Sequence, residues 1–284
     1  MEKTKKEQLA MFSSPNAKEE VMEYIKQGGE FGCKAILAML EHPNVKEFLV
    51  EYIKQGKRLE GELELKMLEQ PNAKELLVEY LMPRPFNGHI KSRTEVKMFS
   101  LPNAYELVST YIEHKNLNFC EKAELKMFDL PQATILVVRY IETRLVARFS
   151  EKFLLKLFDL YNASEAVMKY IKRGSTFINA PKAELKMFEM INNFEIVLDY
   201  VSRGNPLNNK AQVKMFDLPN AYEVVSKYID NKNHKLCAKA ELRMLDIPQD
   251  KLRDLLRTYM IKYSLSVPAE RKALELGLVK LYVV

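Results

Sequence analysis

Tryptophan is absent from this chain of 284 residues, and glycine, cysteine and histidine are scarce, with nine, three and four residues. Few glycines beside many Leu, Lys, Glu, Met and Ala residues favour helices over sheets. The cysteines, Cys33, Cys120 and Cys237, lie far apart and lack the spacing of metal ligands. Isolated thiols are typical of a reducing compartment, so the sequence predicts a cytoplasmic protein.

Long apolar runs are missing as well. No stretch reaches the roughly 18 apolar residues that a membrane-spanning helix needs, so no membrane span is expected. The opening segment MEKTKKEQLAMF is charged and has no apolar signal core. The formal net charge is +6, from 44 basic and 38 acidic residues. This mild excess permits an anionic partner but does not require one.

What the chain does have is an internal repeat. An apolar anchor, methionine in all copies but one, recurs every 28 to 31 residues. The anchors are Met11, Met39, Met67, Met98, Met127, Leu157, Met187, Met215 and Met244. A second anchor is a tyrosine: Tyr24, Tyr52, Tyr80, Tyr111, Tyr140, Tyr170, Tyr200, Tyr228 and Tyr259. Nine matched pairs predict nine tandem helical hairpins, with the anchors in the core.

Each unit reads as helix, tight turn, helix and loop. In the segment LPNAYEL, Asn103 precedes Glu106 by three residues, which is the spacing of a capping box. We therefore expect the asparagine side chain to cap the second helix. The same pair recurs at Asn16/Glu19, Asn44/Glu47, Asn72/Glu75, Asn162/Glu165, Asn192/Glu195 and Asn220/Glu223. Second helices are expected to end at left-handed glycines, namely Gly28, Gly56, Gly174 and Gly204.

This plan resembles the αα-solenoid class of HEAT, armadillo and tetratricopeptide repeats, although it has the period and signature of none of them. The expected fold is all-α, a right-handed αα-superhelix (solenoid) of nine two-helix repeats with a C-terminal capping helix. We expect a single domain over residues 1–284. Its repeats are predicted at about 3–31, 32–59, 60–90, 91–119, 120–149, 150–179, 180–207, 208–236 and 237–266, with the cap at 267–284.

Basic residues recur at two fixed places in the first helix of the repeat. Five residues before the anchor stand Lys6, Lys34, Arg93, Lys122, Lys152, Lys182, Lys210 and Lys239, with Glu62 as the exception; we name these the first basic row. One residue before the anchor stand Lys66, Lys97, Lys126, Lys156, Lys186, Lys214 and Arg243, which we name the second basic row.

The two basic rows have two interpretations. Regular positive charge suits the phosphates of a nucleic acid or another polyanion. The candidate polyanion-binding residues are Arg93, Lys97, Lys122, Lys126, Lys152, Lys156, Lys182, Lys186, Lys210, Lys214, Lys239 and Arg243. Alternatively, acids two residues after the anchor bridge to these cations within or between repeats. Those acids are Glu41, Glu69, Asp129, Asp159, Glu189, Asp217 and Asp246.

The residue before each tyrosine anchor changes from repeat to repeat, as is expected of a surface that recognises a specific partner. The candidate partner-binding residues at this position are Arg139, Lys169, Asp199 and Lys227. The sequence therefore favours a monomeric, non-catalytic scaffold for a protein or peptide, with nucleic-acid binding as the alternative. Drift at solvated positions would give the same variation.

An enzyme is the least favoured interpretation. The four histidines, His42, His89, His114 and His234, have no second ligand at metal spacing, so neither a metal nor another cofactor is expected. No phosphate-binding glycine loop or nucleophile motif occurs. Helical-repeat DNA glycosylases are similar in plan, but they rely on aromatic residues including tryptophan, which this chain lacks.

Overall fold

The computed structural model describes residues 3–81, 90–114, 118–144, 149–231 and 233–278. In these ranges there are nineteen α-helices and no strand, which confirms the all-α prediction. None of the described helices is both long enough and apolar enough to cross a bilayer. The chain divides into two compact units, residues 1–146 and 147–284. That the whole chain is one domain, and that it is cytoplasmic, stay predictions.

The helices are short, mostly of seven to ten residues. The first unit holds α1 Lys5–Met11, α2 Ala17–Lys26, α3 Cys33–Glu41, α4 Val45–Lys54, α5 Gly61–Leu68, α6 Ala73–Leu81, α7 Ser92–Met98, α8 Ala104–Glu113, α9 Glu121–Lys126 and α10 Ala133–Thr143. The second unit holds α11 Glu151–Leu157, α12 Ala163–Lys172, α13 Pro181–Lys186, α14 Asn193–Ser202, α15 Asn209–Lys214, α16 Ala221–Asp230, α17 Ala238–Met244, α18 Gln249–Lys262 and α19 Val267–Glu275. Short 3₁₀ turns, Met127–Asp129, Met187–Glu189 and Met215–Asp217, continue α9, α13 and α15.

Within each unit, helices two apart in the chain pack side by side. In the first unit, α1, α3, α5, α7 and α9 contact in succession, as do α2, α4, α6, α8 and α10. In the second unit, the odd-numbered α11 to α19 and the even-numbered α12 to α18 do the same. Such nearest-neighbour packing is what stacked helical hairpins require. The right-handed superhelix and its nine repeats stay predictions. The predicted cap contributes α19, while residues 279–284 lie outside the described residues.

The anchors form the core, as predicted. All nine apolar anchors and all nine tyrosines are at most 5% exposed. The tyrosine rings lie beside loop phenylalanines in several pairs; the Tyr111 and Phe119 ring centroids, for example, are 4.5 Å apart. Burying a large side chain of this kind stabilises a fold by about 1.5–3 kcal/mol. The anchors thus account for much of the cohesion within each unit.

The predicted asparagine capping box is wrong wherever the structure describes the cap. The asparagines before α2, α4, α8, α12, α14 and α16 make no side-chain bond to the helix end. Asn103 has φ −100° and ψ 24°, and Ala104 N donates to Leu101 O at 3.1 Å. This is the third position of a tight turn of type I, whereas a capping residue needs extended backbone.

One capping box does occur, at a place that the sequence analysis overlooked. Thr4 Oγ1 accepts a bond from Glu7 N at 3.3 Å, and Glu7 Oε2 accepts one from Thr4 N at 2.7 Å. The sequence signal was present, since Thr4 and Glu7 have the required spacing. Thr4 immediately precedes α1 and Glu7 lies in its first turn, so this capping box belongs to an odd-numbered helix.

The glycine prediction is confirmed. Gly28, Gly56, Gly174 and Gly204 have φ between 75° and 79°, in the left-handed region that glycine tolerates. At the end of α2, Gly29 N donates to Tyr24 O and Gly28 N donates to Ile25 O, both at 2.9 Å. These two bonds define a Schellman motif, which ends the helix sharply.

A buried polar side chain, three residues before the anchor, links successive helix pairs. We name this place the interlock position. Glu95 Oε1 accepts a bond from Tyr111 OH at 2.9 Å, and its Oε2 accepts one from Cys120 N at 2.8 Å. Tyr111 lies in the even helix of the same pair, and Cys120 begins the odd helix of the next. One side chain therefore fixes both packing within a pair and register between pairs.

Most interlock positions are occupied in this way. Gln8, Glu64, Gln212 and Glu241 each contact their pair's tyrosine hydroxyl and a backbone N–H before the next odd helix. Glu184 differs, because its Oε2 accepts hydrogen bonds from both the backbone N and the side-chain Nδ2 of Asn208. Glu124 accepts from Tyr140 OH at 2.9 Å and pairs with Arg144. Sequence analysis missed these residues, although they recur at fixed spacing.

Ile36 and Leu154 are the apolar exceptions at the interlock position, and both are buried. After Leu154, a less buried residue supplies the link: Glu151 Oε1 accepts from Lys182 N at 2.9 Å. The α11–α12 and α13–α14 pairs are therefore joined by an exposed bond rather than by a buried one.

Glu184 is the interlock residue with the weakest support. It is 1% exposed, and within the described residues its Oε1 has no hydrogen-bond partner. Burial raises the pKa of this carboxyl from 4.5 to about 7, although the bonds from Asn208 act in the opposite direction. The carboxylate is thus costly to keep in the folded chain at neutral pH and above.

We predict that Glu184→Gln removes a pH dependence of stability. The folded pKa of about 7 lies above the unfolded 4.5, so the carboxyl's contribution is fully present below pH 4.5 and is lost as pH rises through 7. Urea denaturation should therefore find the variant more stable than wild type at pH 8, by about 3 kcal/mol, and nearly equal to it near pH 4.5. Gln8 and Gln212 show that glutamine fits this position.

The control is Glu189→Gln, since Glu189 is exposed. It should leave the difference between pH 4.5 and pH 8 as in wild type. An unchanged pH dependence in Glu184→Gln would contradict the prediction.

Candidate functional site

The first basic row is exposed to solvent. In the second unit, Lys152, Lys182, Lys210 and Lys239 are all exposed, and among the described residues none of them forms a salt bridge. In the first unit Lys122 is likewise exposed, while an Arg93 nitrogen lies 3.9 Å from Glu62 Oε1. No acid of the described residues neutralises these four lysines of the second unit, so they are available to an anionic ligand.

Part of the second basic row is already engaged. Lys186 Nζ lies 3.8 Å from Asp159 Oδ1, and Arg243 Nη2 lies 2.6 Å from Asp217 Oδ1. Each acid belongs to the preceding helix pair, so these bridges connect neighbours. Lys97 and Lys214 are exposed, and Lys126 and Lys156 are half-buried. Exposed pairs contribute at most about 1 kcal/mol, so their role is in register more than in stability.

Some of the variable positions before the tyrosine anchors already make contacts within the fold. Arg139, in the first unit, donates to Ser109 Oγ at 2.7 Å and to Glu113 Oε1 at 2.9 Å. In the second unit Asp199 Oδ2 accepts from Arg203 Nε at 3.0 Å. Lys169 is half-buried and Lys227 is exposed. Arg139 and Asp199 thus serve contacts within the fold.

A cavity that the sequence analysis did not predict lies between two hairpin turns of the second unit. One turn joins α11 to α12 and the other joins α13 to α14. The cavity has a volume of about 690 Å³ and opens to solvent. Its lining includes Phe158, Tyr161, Glu165, Lys186, Glu189 and Ile191. We name it the turn groove.

Two apolar side chains of the turn groove are almost wholly exposed, Tyr161 at 98% and Ile191 at 99%. They occupy the same position in successive turns. Other turns carry proline there: Pro15, Pro43, Pro71, Pro102, Pro131, Pro219 and Pro248. Comparing the repeats at this position would have revealed the exception, because proline is the residue that the turn favours.

The basic side chain of the turn groove has a salt-bridge partner among the described residues, whereas its two acidic side chains have none. Glu165, in the first turn of α12, and Glu189, in the 3₁₀ turn after α13, are both exposed. Among the described residues neither carboxylate forms a salt bridge. The groove's lysine, Lys186, is the one paired with Asp159. The unbalanced charge is therefore negative.

A second cavity of about 400 Å³ lies between the turns of α15–α16 and α17–α18. Its cations are Arg243, which is bridged to Asp217, and Lys251, whose Nζ lies 5.5 Å from the centroid of the Tyr222 ring. Prolines occupy both turns here, at Pro219 and Pro248. This cavity is smaller, and exposed prolines stand at its turn tips in place of large apolar side chains.

Comparisons of the chain with protein-family models, with curated proteins and with solved structures each give no match. The chemistry of its own surfaces is therefore the guide to its function.

We predict that proline is tolerated at both turn tips. Neither Tyr161 N nor Ile191 N donates a hydrogen bond to a described residue. Met190, before Ile191, already has the extended φ −77° and ψ 155° that proline requires of its predecessor. Tyr161→Pro and Ile191→Pro should each leave the free energy of unfolding unchanged or raise it by about 0.4–1 kcal/mol. Urea denaturation measures this, with Tyr161→Ala and Ile191→Ala as neutral controls. A loss above about 1 kcal/mol would show that these residues support the fold.

Proposed function

We propose that this chain is a non-catalytic binding scaffold, built as a right-handed αα-superhelix of nine hairpins, that recognises a protein or peptide partner. The observation that carries the proposal is the turn groove with Tyr161 and Ile191 exposed beside it. We further propose that the free protein is monomeric and cytoplasmic. Neither an enzymatic activity nor a cofactor is part of the proposal.

The exposure of Tyr161 and Ile191 favours recognition over a purely structural role. A single exposed apolar residue is ordinary on a protein surface. Here two of them flank one cavity, at positions where proline would stabilise the turn through the unfolded state. Covering each side chain with a partner would yield about 1.5–3 kcal/mol. Aromatic and large aliphatic anchors of this kind concentrate the energy of protein interfaces.

Nucleic-acid binding is the second candidate, and one observation favours it. On the odd-numbered helices of the second unit stand four exposed lysines that form no salt bridge with the described residues: Lys152, Lys182, Lys210 and Lys239. Such a row would contact phosphates without reading bases. It is second because part of the neighbouring basic row is neutralised by acids.

The scaffold proposal predicts a partner that depends on the turn groove. Wild-type chain and the double variant Tyr161→Pro/Ile191→Pro would be used to capture proteins from a lysate of the source cells. A protein that the double variant fails to retain would be purified and titrated by calorimetry. We expect its affinity to fall at least about 100-fold in the variant, since two buried anchors are lost.

The matched control is Tyr222→Ala, which alters the second cavity instead. It should bind the partner like wild type. If the wild type retains nothing beyond what the double variant retains, or if the purified protein binds both equally, the turn groove is not the recognition site.

The nucleic-acid candidate predicts binding that weakens with salt. Fluorescence anisotropy would follow labelled DNA and RNA, single- and double-stranded, at 50 and 200 mM salt. Four phosphate contacts would cost roughly 100-fold in affinity over that range. The variant Lys152→Ala/Lys182→Ala/Lys210→Ala/Lys239→Ala should abolish this binding, whereas Lys18→Ala/Lys54→Ala/Lys74→Ala/Lys172→Ala, on even-numbered helices, should retain it. Absence of binding at micromolar wild-type protein would exclude the candidate.

A further inference from the structure

We infer that the turn groove takes a peptide segment in which an aliphatic or aromatic residue is flanked by lysine or arginine. The inference rests on the proposed scaffold function and adds the chemistry of its partner. Three features of the groove support it: its apolar rim, its two unpaired carboxylates, and the absence of a free cation among its described residues.

The rim selects for an apolar side chain. Tyr161 belongs to one of the two turns that line the cavity and Ile191 to the other, and Phe158 contributes to its wall. Because α11 packs on α13 and α12 packs on α14, and packed helices lie about 8–10 Å apart, the two turns are close enough for one inserted side chain to reach both. A side chain inserted between them would contact both and would displace water from apolar surface. A volume of about 690 Å³ leaves room for that side chain and for parts of its neighbours.

The carboxylates select for positive charge beside the apolar residue. Glu165 and Glu189 both line the cavity, both are exposed, and neither has a cationic partner in the described chain. A partner carboxylate placed here would meet two like charges at short range and would be disfavoured. A lysine or arginine would meet two carboxylates of opposite charge.

Lys186 does not cancel this preference. Its Nζ lies 3.8 Å from Asp159 Oδ1, an acid of the preceding helix pair. The pair is close to neutral as a whole, so Glu165 and Glu189 set the sign of the groove. The second cavity differs, because its lining includes Lys251, a cation that forms no salt bridge among the described residues. Peptides with the proposed composition should therefore distinguish the two cavities.

The test is selection from a displayed library of random 12-residue peptides on immobilised full-length wild type, with counter-selection on Tyr161→Pro/Ile191→Pro. We expect the enriched peptides to carry an aliphatic or aromatic residue with Lys or Arg within two positions of it. A synthetic peptide from this set should bind Glu165→Gln/Glu189→Gln about tenfold more weakly than wild type, because two exposed ion pairs are lost. The matched control, Glu223→Gln/Asp250→Asn, removes first-turn acids outside the groove and should bind like wild type.

The outcomes separate this inference from the scaffold proposal. Peptides that need Tyr161 and Ile191 but are acidic or uncharged, or that bind the glutamine variant equally well, would overturn the basic-partner inference and leave the scaffold proposal standing. If the selection yields no peptide that distinguishes wild type from the proline variant, both the basic-partner inference and the scaffold proposal are overturned. Light scattering that finds a wild-type dimer and a monomeric proline variant would identify a second copy of this chain as the occupant, against the inference.

Discussion

The bond network around the interlock position holds these short helices together. Helices of seven to ten residues are too short to be stable alone in water, so each depends on its neighbours. The buried Glu or Gln at the interlock position links each helix to its neighbours through hydrogen bonds, which have a fixed direction. In Glu95 the two carboxylate oxygens accept one bond from Tyr111, within the pair, and one from the backbone at Cys120, in the next pair. An apolar core alone would fix the spacing of the helices but not their register, because dispersion and hydrophobic contacts have no direction.

The sequence was informative wherever a residue type has one dominant use. The methionine and tyrosine anchors and the left-handed glycines could be predicted, because burial and backbone conformation dictate them. The capping box was mispredicted because asparagine serves both as a cap and as a turn residue, and the choice depends on the backbone angles at Asn103. The interlock residues were missed because a glutamate two residues from a lysine or arginine looks solvated in the sequence. Only the packed structure shows that Glu95 and Glu241 are buried beside a tyrosine.

Within each repeat, the surface at the start of the odd-numbered helix differs in charge and polarity from the surface at the hairpin turn. Near the start of the odd helices, the first basic row offers regular charge and few aromatics, which suits a uniform polymer. At the hairpin turns, the surface is irregular, and its irregularity is concentrated at Tyr161 and Ile191. A repeat protein acquires specificity where copies differ, since identical copies give every partner the same surface. This contrast, more than the total charge, favours a specific protein partner for the turn groove.

The turn groove lies over the junction between the α11–α12 and α13–α14 pairs. There Leu154 replaces the buried polar residue, and the half-buried Glu151 accepts an exposed bond from Lys182 N instead. An exposed bond exchanges readily with water, so this junction should rank among the first in the second unit to open locally, and its amides among the earliest to take up deuterium. A ligand that contacts both Tyr161 and Ile191 would connect the α11–α12 pair to the α13–α14 pair and so stabilise the junction between them. Occupancy would then tune the chain's resistance to proteolysis, as well as reporting that a partner is present.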